Sequence, residues 1–194
     1  MSESTSAELQ ELLVRASNGD QGAEAKVFEL LYDELRKVAE HVFASEPKGH
    51  TLQPTAVVAE VWLKLRASKF PDVTSRNHFK RIVAHAMKQV LIDHARHYTG
   101  GMRPLREKRV PCDLDKDCET PRDWMTVLEV HDALEQLKKE ENPIWRRAAD
   151  VVELRYFGGN TVDEAAEILG ISSETANNDW TFAKAWLRKR LADG

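Results

Sequence analysis

Apolar residues in this chain recur at intervals of three and four, and no stretch alternates apolar and polar residues over strand length. That spacing places apolar side chains on one face of a helix and cannot cover one face of a sheet, so the chain is predicted to be all-α. Leu9, Leu12, Leu13 and Ala16 define a short first helix ending near Asn18-Gly19, and Ala23, Val27, Leu30, Leu31, Leu35, Val38 and Val42 define a long second one. Pro47-Lys-Gly-His breaks the pattern. A third helix is expected from Pro54, a favourable first-turn residue, with Val57, Val58, Val61, Trp62 and Leu65. A fourth spans roughly Arg76 to Tyr98, with Phe79, Ile82, Val83, Ala86, Val90 and Leu91 inward.

Periodicity stops between Thr99 and Pro121, where Gly100, Gly101, Pro104, Pro111 and Pro121 interrupt the chain. Such a stretch reads as a linker, which predicts two small helical domains, at about 7–98 and 122–192, joined by a flexible segment at 99–121. The second begins near Arg122 with a helix through Leu137. It restarts at Asn142-Pro143, a cap followed by a first-turn proline, and that helix carries Ala148, Val151, Val152 and Leu154 up to Gly158-Gly159.

The last segment, Thr161 to Trp180, reads as helix, glycine turn, helix. Thr161 and Glu164 have capping-box spacing; Val162, Ala165, Ala166 and Leu169 share a face; Gly170 supplies the turn; and Ser172 or Ser173 can cap the second helix. On that helix Ala176, Trp180, Ala183 and Leu187 must pack inward, leaving Glu174, Thr175, Asn177, Asn178 and Thr181 outward. A helix-turn-helix of this kind points to DNA, with Ser172, Ser173, Thr175, Asn177, Asn178, Thr181 and Lys184 as candidate contacts. Asparagine can pair bidentately with adenine but adds no charge. From Thr161 to Gly194 six acids face four bases, so this module alone is expected to bind DNA weakly.

Positive charge is concentrated elsewhere. The whole chain carries a net −4, yet from Arg76 to Arg109 nine Lys or Arg stand against two acids, whereas from Val110 to Glu141 ten acids stand against four bases. The first segment fits a phosphate track. No apolar run approaches the roughly 18 residues of a membrane span, and the N-terminal Met-Ser-Glu-Ser-Thr-Ser has no signal-peptide character, so the protein is expected in the cytoplasm. Cys112 and Cys118, the only cysteines, read as free thiols in a reducing compartment. No HExxH, GxSxG or phosphate-loop pattern occurs. His94 and His97, with Asp93, lack the further ligand or nucleophile that a metal or hydrolytic site needs, so neither catalysis nor a metal or other cofactor is expected.

Three segments carry a family resemblance. Asp150-Val-Val-Glu-Leu-Arg-Tyr-Phe-Gly-Gly-Asn-Thr-Val-Asp-Glu-Ala-Ala-Glu-Ile-Leu-Gly-Ile-Ser, Leu52-Gln-Pro-Thr-Ala-Val-Val-Ala-Glu-Val-Trp-Leu-Lys64 and His78-Phe to Arg96, in this order of helices, resemble the extracytoplasmic-function class of bacterial sigma factors. The resemblance is closest to a subgroup with Leu-Gln-Pro-Thr-Ala and an Asp-Trp in the recognition helix. It implies that the 7–98 domain docks on core RNA polymerase and opens promoter DNA near the start site, while the 122–192 domain reads the upstream element. It also implies docking through Val57, Val58, Glu60, Trp62 and Leu63, with Ala56 where the wider family commonly has an acid. DNA contact would come from Arg76, Asn77, Lys80, Arg81, His85, Lys88 and Arg96, with His85 and the loop Lys69 to Asn77 at the pocket for a flipped base. An anti-sigma protein is a further partner of many relatives. Two other readings of the same residues are a free-standing helix-turn-helix regulator and a helical interaction module with weakened DNA binding.

Overall fold

The computed structural model describes residues 3–43, 53–68, 75–100 and 124–193, and among them the only regular elements are helices. The expected linker beyond Gly100, with Cys112 and Cys118, lies outside the described residues, as do residues 69–74 of the loop tied to the base pocket. In chain order the helices are α1 (Glu3–Ser17), α2 (Gln21–Phe43), α3 (Pro54–Ala67), α4 (Arg76–Tyr98), α5 (Trp124–Lys139), α6 (Pro143–Val152), α7 (Val162–Leu169) and α8 (Ser173–Asp193). The all-α expectation holds.

Local chemistry explains where the helices start. Ser75 accepts a hydrogen bond from the His78 N–H at the head of α4, and Asn142 Oδ1 accepts from the Ile144 N–H at 2.9 Å ahead of Pro143. Each satisfies a backbone donor that the helix cannot, at about 1 kcal/mol per cap. Asp20 Oδ1 caps α2, accepting from the Gly22 and Ala23 amides at 2.9 and 3.0 Å.

The first four helices bury Leu9, Leu12, Leu13, Val27, Leu31, Leu35, Val57, Val58, Val61, Leu65, Phe79, Met87 and Val90 among themselves. The core does not stop at the end of α4. It continues through Trp124, Val130, Leu134 and Leu137 of α5 and Val151, Val152, Tyr156 and Phe157 beyond it to Trp180 and Leu187 of α8. Each large side chain so buried contributes about 1.5–3 kcal/mol. α4 is apolar on more than one side, so it packs against both groups of helices.

Regular helix geometry is broken at the end of α6. After Val152 the helix widens into a π-helical turn, Glu153–Phe157, closed by the Gly158 N–H donating to the Glu153 carbonyl at 3.3 Å. The extra residue per turn lets Glu153, Leu154, Tyr156 and Phe157 all be buried, more than a one-sided helix could bury in five residues. Gly158 then approaches α4 so closely that a Cβ there would lie 2.9 Å from Ala84 Cβ.

Candidate nucleic-acid interface

The α7–turn–α8 unit is fixed by its termini. Thr161 Oγ1 accepts from the Glu164 amide at 3.2 Å while the Thr161 N–H donates to Glu164 Oε2 at 2.8 Å, so the capping box is complete. Gly170 ends α7 at φ 67°, the left-handed region that a side chain disfavours. Between the two candidate caps for α8 the structure selects Ser172, whose Oγ accepts from the Thr175 amide at 3.1 Å.

On α8, Ala176, Trp180, Ala183 and Leu187 are buried, and Ser173, Glu174, Asn177, Asn178 and Thr181 are exposed. Thr175 and Lys184 are half-buried, with the Lys184 ammonium 5.7 Å from the Trp180 ring centre. Asn177 Nδ2 donates back to the Ser173 carbonyl at 2.9 Å, so a base edge would have to compete for it.

Asp179 is a residue whose role the sequence concealed. It lies between the exposed Asn178 and the inward Trp180 and is itself buried, and Arg147 of α6 grips it through Nε at 2.6 Å and Nη2 at 3.1 Å. This two-pronged pair fixes the rotation of α8 on α6. No local signal pairs residues 147 and 179. The pair also changes the charge balance: with Asp179 neutralised and Glu164 held in the capping box, the outward face is less acidic than the count over residues 161–194 implies.

The α4 candidates behave differently from those on α8. Asn77, Arg81, His85 and Lys88 form one stripe, and every one of them meets the second half of the chain. Asn77 Nδ2 donates to the Glu167 carbonyl at 3.0 Å, Arg81 lies 3.8 Å from Asp150, and His85 Nδ1 meets Glu153 Oε1 at 3.1 Å. Lys88 donates to Glu153 Oε2 at 3.0 Å and Glu135 Oε1 at 2.9 Å, its side chain only 4% exposed. Lys138 completes the cluster at 2.7 Å from Glu153. Lys80 shares a groove with Glu164, whose pKa is lowered by the hydrogen bond from the Thr161 amide first and by the Lys80 charge last. Arg96 is exposed and lines a groove with Lys88, His131 and Glu135. Nothing is described of the Arg76 side chain.

Burial opposes the ionisation of Glu153, but the hydrogen bond with His85 and the Lys138 and Lys88 ammonium charges outweigh it and hold the carboxyl far below the usual carboxylate range. Burial likewise tends to lower the Lys138 pKa, and the negative charges of Glu153 and Asp150 raise it instead. Both partners are therefore ionised near neutral pH, and the cluster is a charged network inside the molecule.

The α3 candidates divide by exposure. Val57 and Val58 are 0% and 1% exposed and belong to the core, so they cannot form a free docking surface as the sequence suggested. Trp62 is half-buried against Phe28, with ring centres 4.9 Å apart, and Leu63 stands 57% exposed. Glu60 accepts from His94 Nε2 at 2.8 Å, which engages that histidine, and Asp93 pairs with Lys64 at 2.8 Å. Among the described residues no three of His, Cys, Asp and Glu gather as metal ligands, and no helix is long and apolar enough to cross a membrane.

A comparison with curated proteins finds no match for the chain. The family model for ECF sigma factors matches it over residues 6–193, nearly the whole length. An exposed polar face on α8, a basic α4 and a match that runs through both therefore lead to one conclusion: the chain belongs to the ECF sigma factors, which bind core RNA polymerase and direct transcription initiation at promoters and are not a class of enzymes.

Proposed function

We propose a division of labour along the chain. Residues 7–98 dock on core polymerase and open DNA near the start site, residues 122–192 read the upstream promoter element, and the segment 99–121 links them. The observation that carries this reading is the two-sidedness of α8: Ala176, Trp180, Ala183 and Leu187 are buried while Ser173, Asn177, Asn178 and Thr181 are exposed along the opposite side. Asn177 and Asn178 are the base readers, each able to discriminate by about 1–3 kcal/mol through adenine-type pairing. Ser172, Ser173, Thr175, Thr181 and Lys184 orient the helix on the backbone.

Docking on polymerase rests on Leu63 and the half-buried Trp62, flanked by Glu60. An exposed leucine beside a half-buried tryptophan is the kind of apolar centre that drives protein association. The protein works in the cytoplasm, where polymerase and chromosome are, and an anti-sigma protein is a further partner in this reading. Capture of core polymerase and run-off transcription test the proposal, on the promoter of a gene whose transcript rises when the protein is overproduced. Leu63→Glu should abolish capture, and Asn177→Ala with Asn178→Ala should abolish promoter choice while capture persists. Unchanged promoter choice in the asparagine variant would remove α8 as the reader.

A further inference from the structure

The inward side of α8 fixes where the helix lies better than how it is turned. Ala176 and Ala183 present one methyl group each, and apolar burial has no preferred direction. Three contacts that have direction supply the angle. The Arg147 fork holds Asp179 through Nε and Nη2 at 2.6 and 3.1 Å, the Arg155 guanidinium lies 3.9 Å from the Trp180 ring centre, and Trp145 packs on Phe182 with ring centres 5.4 Å apart. Ring contacts tolerate sliding. Two charge-assisted hydrogen bonds from one planar fork do not, and here they end on a carboxylate only 5% exposed.

At 3.6 residues per turn Asp179 lies about 160° around the helix from Asn177 and about 100° from Asn178, so Arg147 grips α8 from a side that does not read. Side-chain tips lie about 5–6 Å from the helix axis, and a turn of about 10° therefore moves an asparagine amide by about 1 Å. A recognition geometry tolerates about 0.5 Å. Asn177 also has its 2.9 Å bond to the Ser173 carbonyl to give up on meeting a base, and a helix free to rotate would add a second cost.

We propose that Arg147 is a positioning residue for promoter choice: acting through Asp179, it sets the rotation of α8 that presents Asn177 and Asn178 to base edges. The proposal rests on the reading of those two asparagines as base readers. Loss of the fork lowers discrimination between upstream sequences and leaves attachment to polymerase, a matter for α3, unchanged.

The test uses the full chain bound to core polymerase. Run-off transcription is measured on the promoter of a gene whose transcript rises when the protein is overproduced, with every upstream base pair varied in a pool of templates that each carry a transcribed barcode. Asn177→Ala/Asn178→Ala first marks the base pairs that α8 reads, as those where preference flattens. Arg147→Leu/Asp179→Leu removes fork and carboxylate together, so no unpaired charge stays buried, and this variant should fold and capture polymerase as the parent does. At the marked base pairs its preference should fall at least fivefold, the low end of what one bidentate pair contributes, and elsewhere it should not change. Arg147→Lys keeps the charge without the fork and should show a smaller fall at the same base pairs; it replaces the leucine pair should that variant lose its helical signal. Parental preference at the marked base pairs in a folded, polymerase-bound variant overturns the positioning role, because a pair that served stability alone would leave preference unmoved. A fall spread evenly over all base pairs overturns it as well, since that is lost affinity. If the asparagine variant marks no base pair, the reading of α8 fails and the proposal falls with it, whereas marked base pairs that the fork variants leave intact remove the role of Arg147 alone.

Discussion

Gly158→Ala changes one methyl group and should destabilise the protein. A Cβ at this position would lie 2.6 Å from the Leu154 carbonyl oxygen, 2.7 Å from Asn160 Nδ2 and 2.9 Å from Ala84 Cβ. The backbone is not the obstacle, since φ is −97° and ψ −6°, which alanine tolerates. Loss of glycine's freedom in the unfolded chain would favour the folded state by about 0.4–1 kcal/mol. Overpacking opposes it by about 1–3 kcal/mol, and here the upper part of that range applies, because a backbone oxygen of the π-helical turn cannot rotate away. Asn160 cannot move freely either, since its Nδ2 donates to the Leu154 and Gly158 carbonyls at 2.9 and 3.2 Å. The net cost is about 1–2 kcal/mol, or about 2–8 °C in Tm for a chain of this size. Thermal and urea unfolding followed by helical circular dichroism measure it. Ala84→Gly removes one of the three close contacts but carries its own cost in a helix interior, so the double variant should lose less than the sum of the two single losses. A Gly158→Ala variant as stable as the parent, or more so, would refute the close approach of the turn to α4.

Other substitutions test other parts of the fold. Arg147→Leu leaves the Asp179 carboxylate buried without its partner; with the arginine side chain 37% exposed, water softens the loss to roughly 2 kcal/mol, below the ~3–5 kcal/mol of a fully buried pair. Urea midpoints should show this, and replacing Asp179 with leucine as well should recover part of it. Thr161→Ala breaks the capping box at the exposed start of α7 and should cost about 1 kcal/mol, with faster amide exchange confined to α7 and the turn after it. Acid should act in two steps. His131 titrates below its ordinary value near 6.5, because burial and then the Lys88 charge disfavour its cation, so the unfolded chain takes up that proton first and stability falls as pH drops below about 6.5. Glu153, held down by His85, Lys138 and Lys88, contributes stability that is complete above its ordinary value near 4.5 and is lost below it. Urea midpoints against pH should show both slopes, and His131→Gln should remove most of the first.

How much of this was legible in the sequence varies with how local each cause is. The α4 limits, the capping box at Thr161, the turn at Gly170 and the inward side of α8 were all readable, because each depends on residues within one or two turns. The Asn142-Pro143 start of α6 was readable for the same reason. The π-helical turn was not, since an inserted residue leaves the apolar content unchanged and only shifts its register. Nor was the burial of Val57 and Val58, because whether an apolar side chain of α3 faces a neighbouring helix or a partner depends on how the helices pack.

Charge was the least legible property. The run from Arg76 to Arg109 fixes how many basic groups lie there, but whether a lysine ends in water, on phosphate or between two glutamates depends on residues 47 and 65 positions away. By itself the sequence determined where the α-helices run, the family resemblance and the inward apolar side of α8, all set by short-range spacing. Only the tertiary structure decided which polar residues are free to meet a partner. Electrostatic pairing acts through space, so Lys88 with Glu153 and Arg147 with Asp179 exist only once the helices are packed.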